Sequence, residues 1–474
     1  MSAGKASFLS ANKTKIIFTI IIVAGLLTAV LLWPKPEEPG PEGITLKIIT
    51  RHDTAIWEAF EPKFLETDYA KEHNIVDIQW VAPDPGLWKQ VIEAGGVDVA
   101  WGGGPTLFDT MIGYGLLEPL TGSNVLARVS QIGDTLAGAP MKRFDGEGNI
   151  LWVAAAISSF GFTVNHPFLE TYDLPVPTRW SDLANRTYAS LLPKATISMG
   201  NAPHTTSNTR SYEIILQAFG WDEGWSVLTR MAGNAEIFSG SGISVDVQSA
   251  VETGEVGIAM SIDFYGYTSV LRNPECEYII PSGESIINGD PIALVNGTSH
   301  KEEAEELIAW ILSPEGQSIW LLENINRMPV VEEAFETELG GTRPDLYNLY
   351  QITISNIGIE FSDPLALSYE NSLMLYFQSV LTDVHEELVD AWATLVDAVN
   401  TGKITEARFQ ELSYQLGLPV SWEEGGEAFQ FTMEYAQSIN DQVKTDPTFA
   451  NQMASIWRDA ARTQYATIRD EVAD

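Results

Sequence analysis

Between Ile44 and Leu312, short apolar runs that end in polar or glycine-rich turns alternate with segments of helical spacing. The first run, Ile44–Thr50, alternates apolar positions as a strand does, and Ile56, Trp57, Phe60 and Phe64 then recur at helical intervals. Ile75–Val81 predicts a second strand, Trp88, Val91 and Ile92 a helix, Val97–Trp101 a third strand and Thr106–Tyr114 a further helix. Such an alternation buries both faces of its strands only as a mainly parallel sheet covered by helices on both sides. The predicted class is therefore α/β. At 474 residues the chain is too long for one ordinary core, which implies two lobes or more.

The alternation continues with strands predicted at Leu151–Ile157 and Phe160–Val164, separated by Ser158-Ser159, and then at Ala195–Met199, Gly257–Ile262, Tyr278–Ile280 and Pro291–Val295. A helix is expected over Ser207–Phe219, closed by Gly220, and an amphipathic one over Glu302–Leu312, stopped near Pro314. Beyond Leu346 the strand signal almost vanishes, while Val380–Val399 and Met433–Val472 look helical. The division expected is a first lobe over 44–157 and 290–345, a second lobe over 158–289, and a helical extension over 346–474.

The N-terminus reads differently. Lys5, Lys13 and Lys15 precede an uncharged apolar run, Ile16–Trp33, which at about 1.5 Å per residue covers most of a hydrocarbon layer about 30 Å thick. The basic flank places residues 1–15 in the cytoplasm and the remainder outside. The run ends in Leu-Leu-Trp-Pro without a small-residue cleavage site, so 16–33 is expected to stay as a transmembrane anchor. A proline-dense stretch, 34–43, follows as an extended tether. The soluble body is acidic, the chain carrying −37 overall, which excludes nucleic acid as a partner. A single cysteine, Cys276, permits no internal disulfide.

No metal-ligand spacing, nucleophile elbow or phosphate loop occurs in the sequence, so neither an enzyme nor a resident cofactor is expected. Polar turns at strand ends remain, the place where open α/β sheets hold ligands. Arg51, His52 and Asp53 follow the first strand and could hold an anion, with Asp53 equally suited to cap the next helix. Gly102, Gly103, Gly104 and Thr106 allow close backbone approach before a helix N-terminus. Ser158 and Ser159 sit at a crossover between lobes. Ser207, Asn208 and Thr209, followed by Arg210, open a helix with hydroxyl and amide groups. Asp263 and Tyr265 follow a later strand, and Asp290 precedes the strand that returns to the first lobe.

The ordered segments "IITRHD", "VDVAWGGGPTLFD", "SSFGFTVN", "TSNTRSYEIILQAFGWDEGW", "GEVGIAMSIDFYGYT" and "SPEGQSIW" resemble the solute-binding proteins of ABC importers, in the group that takes iron(III), thiamine, polyamines and phosphonates. The resemblance implies a type II periplasmic-binding-protein-like fold whose two lobes close over a small solute and deliver it to permease subunits. Iron(III) receptors of this group have a histidine after the first strand and adjacent tyrosines after the "GEV" strand. His52 and Tyr265 match those features, but Phe264 stands where one tyrosine is expected. A polyamine would use carboxylates and aromatic walls such as Asp53, Asp263, Glu284 and Trp101. A phosphonate or sugar phosphate would use Arg51, the glycine turn and the Ser/Thr helix start.

Overall fold

The computed structural model describes residues 43–240 and 242–473. The expected anchor at 16–33 lies outside these residues, and among those described no helix is long and apolar enough to cross a membrane.

One twisted sheet runs through the body in the order Ala235–Phe238, Ile197–Gly200, Ile258–Ile262, Ile150–Asn165, Ile287–Val295, Val99–Trp101, Ile44–Thr50 and Ile75–Val81. Each end of this path is parallel, and its middle is antiparallel. The two central strands therefore belong to both halves. The long strand Ile150–Asn165 pairs with Ile287–Ile292 through Ser159–Val153, and with Ile258–Ile262 through Val164–Phe160. Sequence patterning predicts a break at Ser158-Ser159, but the strand passes through it without interruption. The return strand supplies ladder bonds as far as Ser159 and the strand Ile258–Ile262 takes over from Phe160, and the small hydroxyl side chains fit a buried crossing. The return strand likewise starts at Ile287, earlier than predicted, with a register shift between Asp290 and Pro291 where proline lacks the N–H to continue the ladder.

On the first side, Phe60, Trp101, Trp320 and Ile308 close a core drawn mainly from 46–157 and 287–350. On the second, Trp180, Tyr212 and Trp225 share one continuous core with Phe377, Trp392, Phe431 and Trp457 of the extension. The extension thus packs chiefly on the second half. Its opening helix, Pro344–Ser355, lies on the first, through Leu346 and Tyr350. The predicted helix over Met433–Val472 is two helices, Met433–Thr445 and Pro447–Ala473, because Pro447 removes an N–H and disfavours helical backbone at Asp446. A hairpin, Ser421–Glu424 with Glu427–Gln430, also stands where no strand is predicted; it turns on Gly425 and Gly426, both at positive φ.

Candidate functional site

Where the halves meet, the strand ends and helix starts form three polar clusters. The first is centred on Asp290. His52 Nε2–H donates to Asp290 Oδ2 at 2.7 Å, Arg327 Nη1 donates to the same oxygen at 3.2 Å, and the Gly103 N–H donates to Oδ1 at 3.1 Å. Burial works against the Asp290 carboxylate, yet these three donors hold it below the ordinary range. Burial also lowers the pKa of His52, against the pull of Asp290, so a neutral imidazole donates from Nε2. The ring packs edge-on between Trp101 and Trp320. Gly102 and Gly103 are required here. Both have positive φ, and a Cβ at Gly102 would strike the His52 ring at 2.4 Å, one at Gly103 the Arg51 side chain at 2.8 Å.

The second cluster crosses from the long strand to the helix Asp263–Arg272. Asp263 Oδ2 accepts the Ser159 N–H at 2.8 Å, and Oδ1 accepts the Phe264 N–H at 2.8 Å. The carboxyl is fully buried, and desolvation pushes its pKa up to about 7 despite those donors. Ser159 Oγ also lies 3.3 Å from Tyr278 Oη. Residues Asp263 to Tyr267, predicted as a turn, are the start of this helix.

The third cluster is made of hydroxyls. Thr205 caps the helix Thr206–Phe219, and its Oγ1 lies 3.3 Å from Ser207 Oγ and 3.4 Å from Ser244 Oγ. Ser244 opens the helix Ile243–Glu252, and its hydroxyl acts on the Tyr265 phenol, in the first turn of Asp263–Arg272, by lowering its pKa against burial. The first turns of three helices therefore meet around one group of hydroxyls, with their positive dipole ends. Burial raises the Tyr265 pKa, opposed by Arg327, while Asp53 adds to the rise; both residues act on the phenol from the other side of the junction. Arg327 sits against the Phe264 ring at 4.4 Å.

The structure brings His52, Gly103 and Asp290 together, and separately Ser159 with Asp263; Ser207 joins Thr205. Arg51 is exposed beside Gly103 and forms no ion pair among the described residues. Gly104, at φ 83°, leads into the helix Pro105–Gly113, and Ser158 is buried opposite Asn288. Other candidates are taken up by the fold. Asp53 caps the helix Thr54–Leu65, Asn208 Oδ1 accepts the Gly200 N–H at 2.7 Å, and Thr209 Oγ1 donates to the Ala202 and Thr205 carbonyls. Thr106 Oγ1 donates to Asp363 of the extension at 3.0 Å. Thr205 belongs to the hydroxyl-rich helix start that the sequence offers, whereas Arg327 and Ser244 join the site without having been predicted. Only the hydroxyl at a helix start marked Ser244, and nothing local marked Arg327.

This arrangement, two α/β halves joined by shared strands with polar groups gathered at the junction, defines a two-lobed binding scaffold. The sequence model of the bacterial extracellular solute-binding protein family matches residues 97–345, and the chain belongs to that family. Two curated relatives, each a phosphoglycerate transport regulatory protein, from Salmonella typhimurium and Salmonella typhi, are 29% identical over 178 residues. That alignment spans 38% of this chain and 43% of either relative. Among solved structures, a putative extracellular solute-binding protein from Bordetella parapertussis superposes with a TM-score of 0.55 at 14% identity, covering 71% of this chain and 98% of that one. An ABC transporter protein from Clostridium perfringens gives 0.53 at 17% identity, covering 71% and 100%. These likenesses concern the fold.

Proposed function

We propose that this chain is the solute-binding receptor of an ABC importer, and that its solute is a small organic anion carrying a phosphate or a similarly compact oxyanion group. The observation that carries the reading is the convergence of three helix N-termini on the Thr205, Ser207, Ser244 and Tyr265 hydroxyls, within electrostatic reach of Arg327. Aligned N–H groups and hydroxyl donors stabilise an oxyanion without a neutralising metal. Arg51 would add an unpaired guanidinium from the first lobe.

A polyamine fits less well. Trp101 is buried, Asp53 caps a helix, Asp263 is buried with a raised pKa, and Glu284 accepts the Trp180 N–H at 3.0 Å. Iron(III) would need phenolate and imidazole ligands, whereas burial raises the Tyr265 pKa and His52 Nε2 is held by Asp290. The relatives' description as phosphoglycerate transport proteins agrees with an anion. The word "regulatory" in it favours a second reading, a receptor that reports the solute to a membrane partner instead of handing it over.

Binding in either case is closure of the lobes on the shared strands near Ser158-Ser159 and Gly289-Asp290, with 44–157 and 290–345 on one side and 158–289 on the other. We further propose that 16–33 anchors this body outside the cell through the tether 34–43. Calorimetric titration of residues 43–474 with 3-phosphoglycerate, spermidine and iron(III) citrate tests the solute class. Saturable binding of 3-phosphoglycerate is expected, weakened at least tenfold in Arg51→Ala/Tyr265→Phe while the melting temperature of the unliganded protein stays nearly constant. Binding of spermidine or iron instead overturns the anion reading.

A further inference from the structure

We infer that Asp363, the first residue of the helix Asp363–Phe377 in the C-terminal extension, is an interlobe latch. Its carboxylate is buried at the junction and held from both sides. Thr106 Oγ1, from the first lobe, donates to Oδ1 at 3.0 Å, and Arg143 Nη2, also from the first lobe, lies 3.6 Å from Oδ2. Arg210 Nη2, from the second lobe, donates to the same Oδ1 as Thr106. One carboxylate therefore joins a residue on the helix Pro105–Gly113 to a residue on the helix Thr206–Phe219. The seat that Thr106 and Arg210 could offer to an outside anion is filled by the protein's own.

The neighbouring contacts fix the carboxylate in place. Arg210 is also paired with Glu213 Oε2 at 3.1 Å and covered by the Phe361 ring at 4.1 Å. Arg143 is forked onto Asp109 through both Nε and Nη2. Just before the latch, Gln217 of the second lobe donates to the Ser362 carbonyl at 3.1 Å and accepts the Ser362 N–H at 2.8 Å. The segment leading to it is bonded to the loop that precedes the return strand. The Ile359 N–H donates to the Ser285 carbonyl at 2.9 Å, and the Gly283 N–H donates to the Ile357 carbonyl at 2.7 Å. Beyond Ser355 the extension is thus fastened to the second lobe, and the arm from Asp363 to Thr106 and Arg143 crosses back to the first. Opening the lobes means parting that arm, which exposes a buried carboxylate and two guanidinium groups to new partners. The extension accordingly limits how far the unliganded protein opens.

The test needs no solute and so stands apart from the proposed function. Nitroxide labels at Leu87→Cys in the first lobe and Val176→Cys in the second, both exposed positions, report the interlobe distance by pulsed electron spin resonance in residues 43–474. The native sequence should give one narrow distance. Asp363→Ala should add a second population at a different, broader distance, and Thr106→Val should shift it in the same direction to a smaller extent. Thr106→Val removes one of the two first-lobe contacts and leaves Arg143, Arg210 and Glu213 in place, so it remains informative if Asp363→Ala does not fold. An unchanged narrow distance in a folded Thr106→Val protein together with an unchanged one in Asp363→Ala, or with failure of that variant to fold, assigns Asp363 to stability alone and overturns the latch.

Discussion

The two lobes solve the same burial problem with different parts of the chain. In the first, Phe60, Trp101, Ile308 and Trp320 are enclosed by segments that the sequence places before residue 351. In the second, Trp180, Tyr212 and Trp225 face Phe377, Trp392 and Trp457, which the family match ending at residue 345 does not include. Tyr376 and Phe431 stack at 3.7 Å at the centre of that shared core, and Trp225 meets Tyr376 edge-on at 4.7 Å. The second core, unlike the first, depends on large side chains beyond the family match.

Removing the extension should break this comparison open. A chain ending at Ser355 keeps the helix on the first lobe but strips the second of one wall of its core. Each large side chain so exposed forfeits about 1.5–3 kcal/mol of burial, and several together exceed the roughly 5–15 kcal/mol of a whole domain. The expected product aggregates, or binds a hydrophobic dye over a disordered second lobe while the first remains folded. A soluble 43–355 protein with a cooperative melt and no dye binding would show that the second lobe closes its core without help.

Single substitutions probe the same contrast more gently. Trp320→Ala in the first lobe and Trp457→Ala in the extension each empty a fully buried site, at a cost of about 3–5 kcal/mol. If the lobes unfold separately, Trp457→Ala lowers the transition of the second lobe and leaves the first in place, and Trp320→Ala does the reverse. Calorimetric scans resolve the two. Equal lowering of both transitions by Trp457→Ala would mean that the molecule unfolds as one unit.

The sequence disclosed this division unevenly. Ile44–Thr50 and Ile75–Val81 appear with the boundaries their alternation predicts, because each is a local pattern with turns at both ends. Ser158-Ser159 and Gly289-Asp290 look like breaks, yet the sheet carries the chain through both, since strand partners on either side outweigh local propensity. Gly425-Gly426 between Trp422 and Phe429 was a readable hairpin signal amid helical patterning. The site was legible as a set of strand-end turns. Which of its groups meet was not, because His52 and Asp290 are 238 residues apart and Thr106 and Asp363 are 257 apart. Asp363 itself reads locally as an ordinary helix start in Ser-Asp-Pro, and only the fold sets it between two arginines.

Protonation separates the lobes most finely. The second lobe buries Glu213, whose pKa desolvation raises from 4.5 to about 8 against the pull of Arg210, and Asp263, raised from 3.8 to about 7 by burial. A carboxyl with a raised pKa holds its proton more tightly when folded, so its contribution is complete below about 4 and is lost as pH rises through 7 to 8. The first lobe buries His52, whose pKa burial lowers below 6.5, and a lowered histidine contributes above that value and loses its contribution as pH falls. Asp290, held below 3.8, stays ionised throughout the range. Raising the pH from 5 to 9 should therefore weaken the second lobe and slightly strengthen the first. Glu213→Gln, which keeps the shape and cannot ionise, should flatten the decline of the second-lobe transition in urea unfolding followed at pH 5, 7 and 9. The same slope in the variant and the native protein would place the pH sensitivity in Asp263, and a second lobe that gains stability toward pH 9 would mean that Glu213 is ionised and fully paired with Arg210.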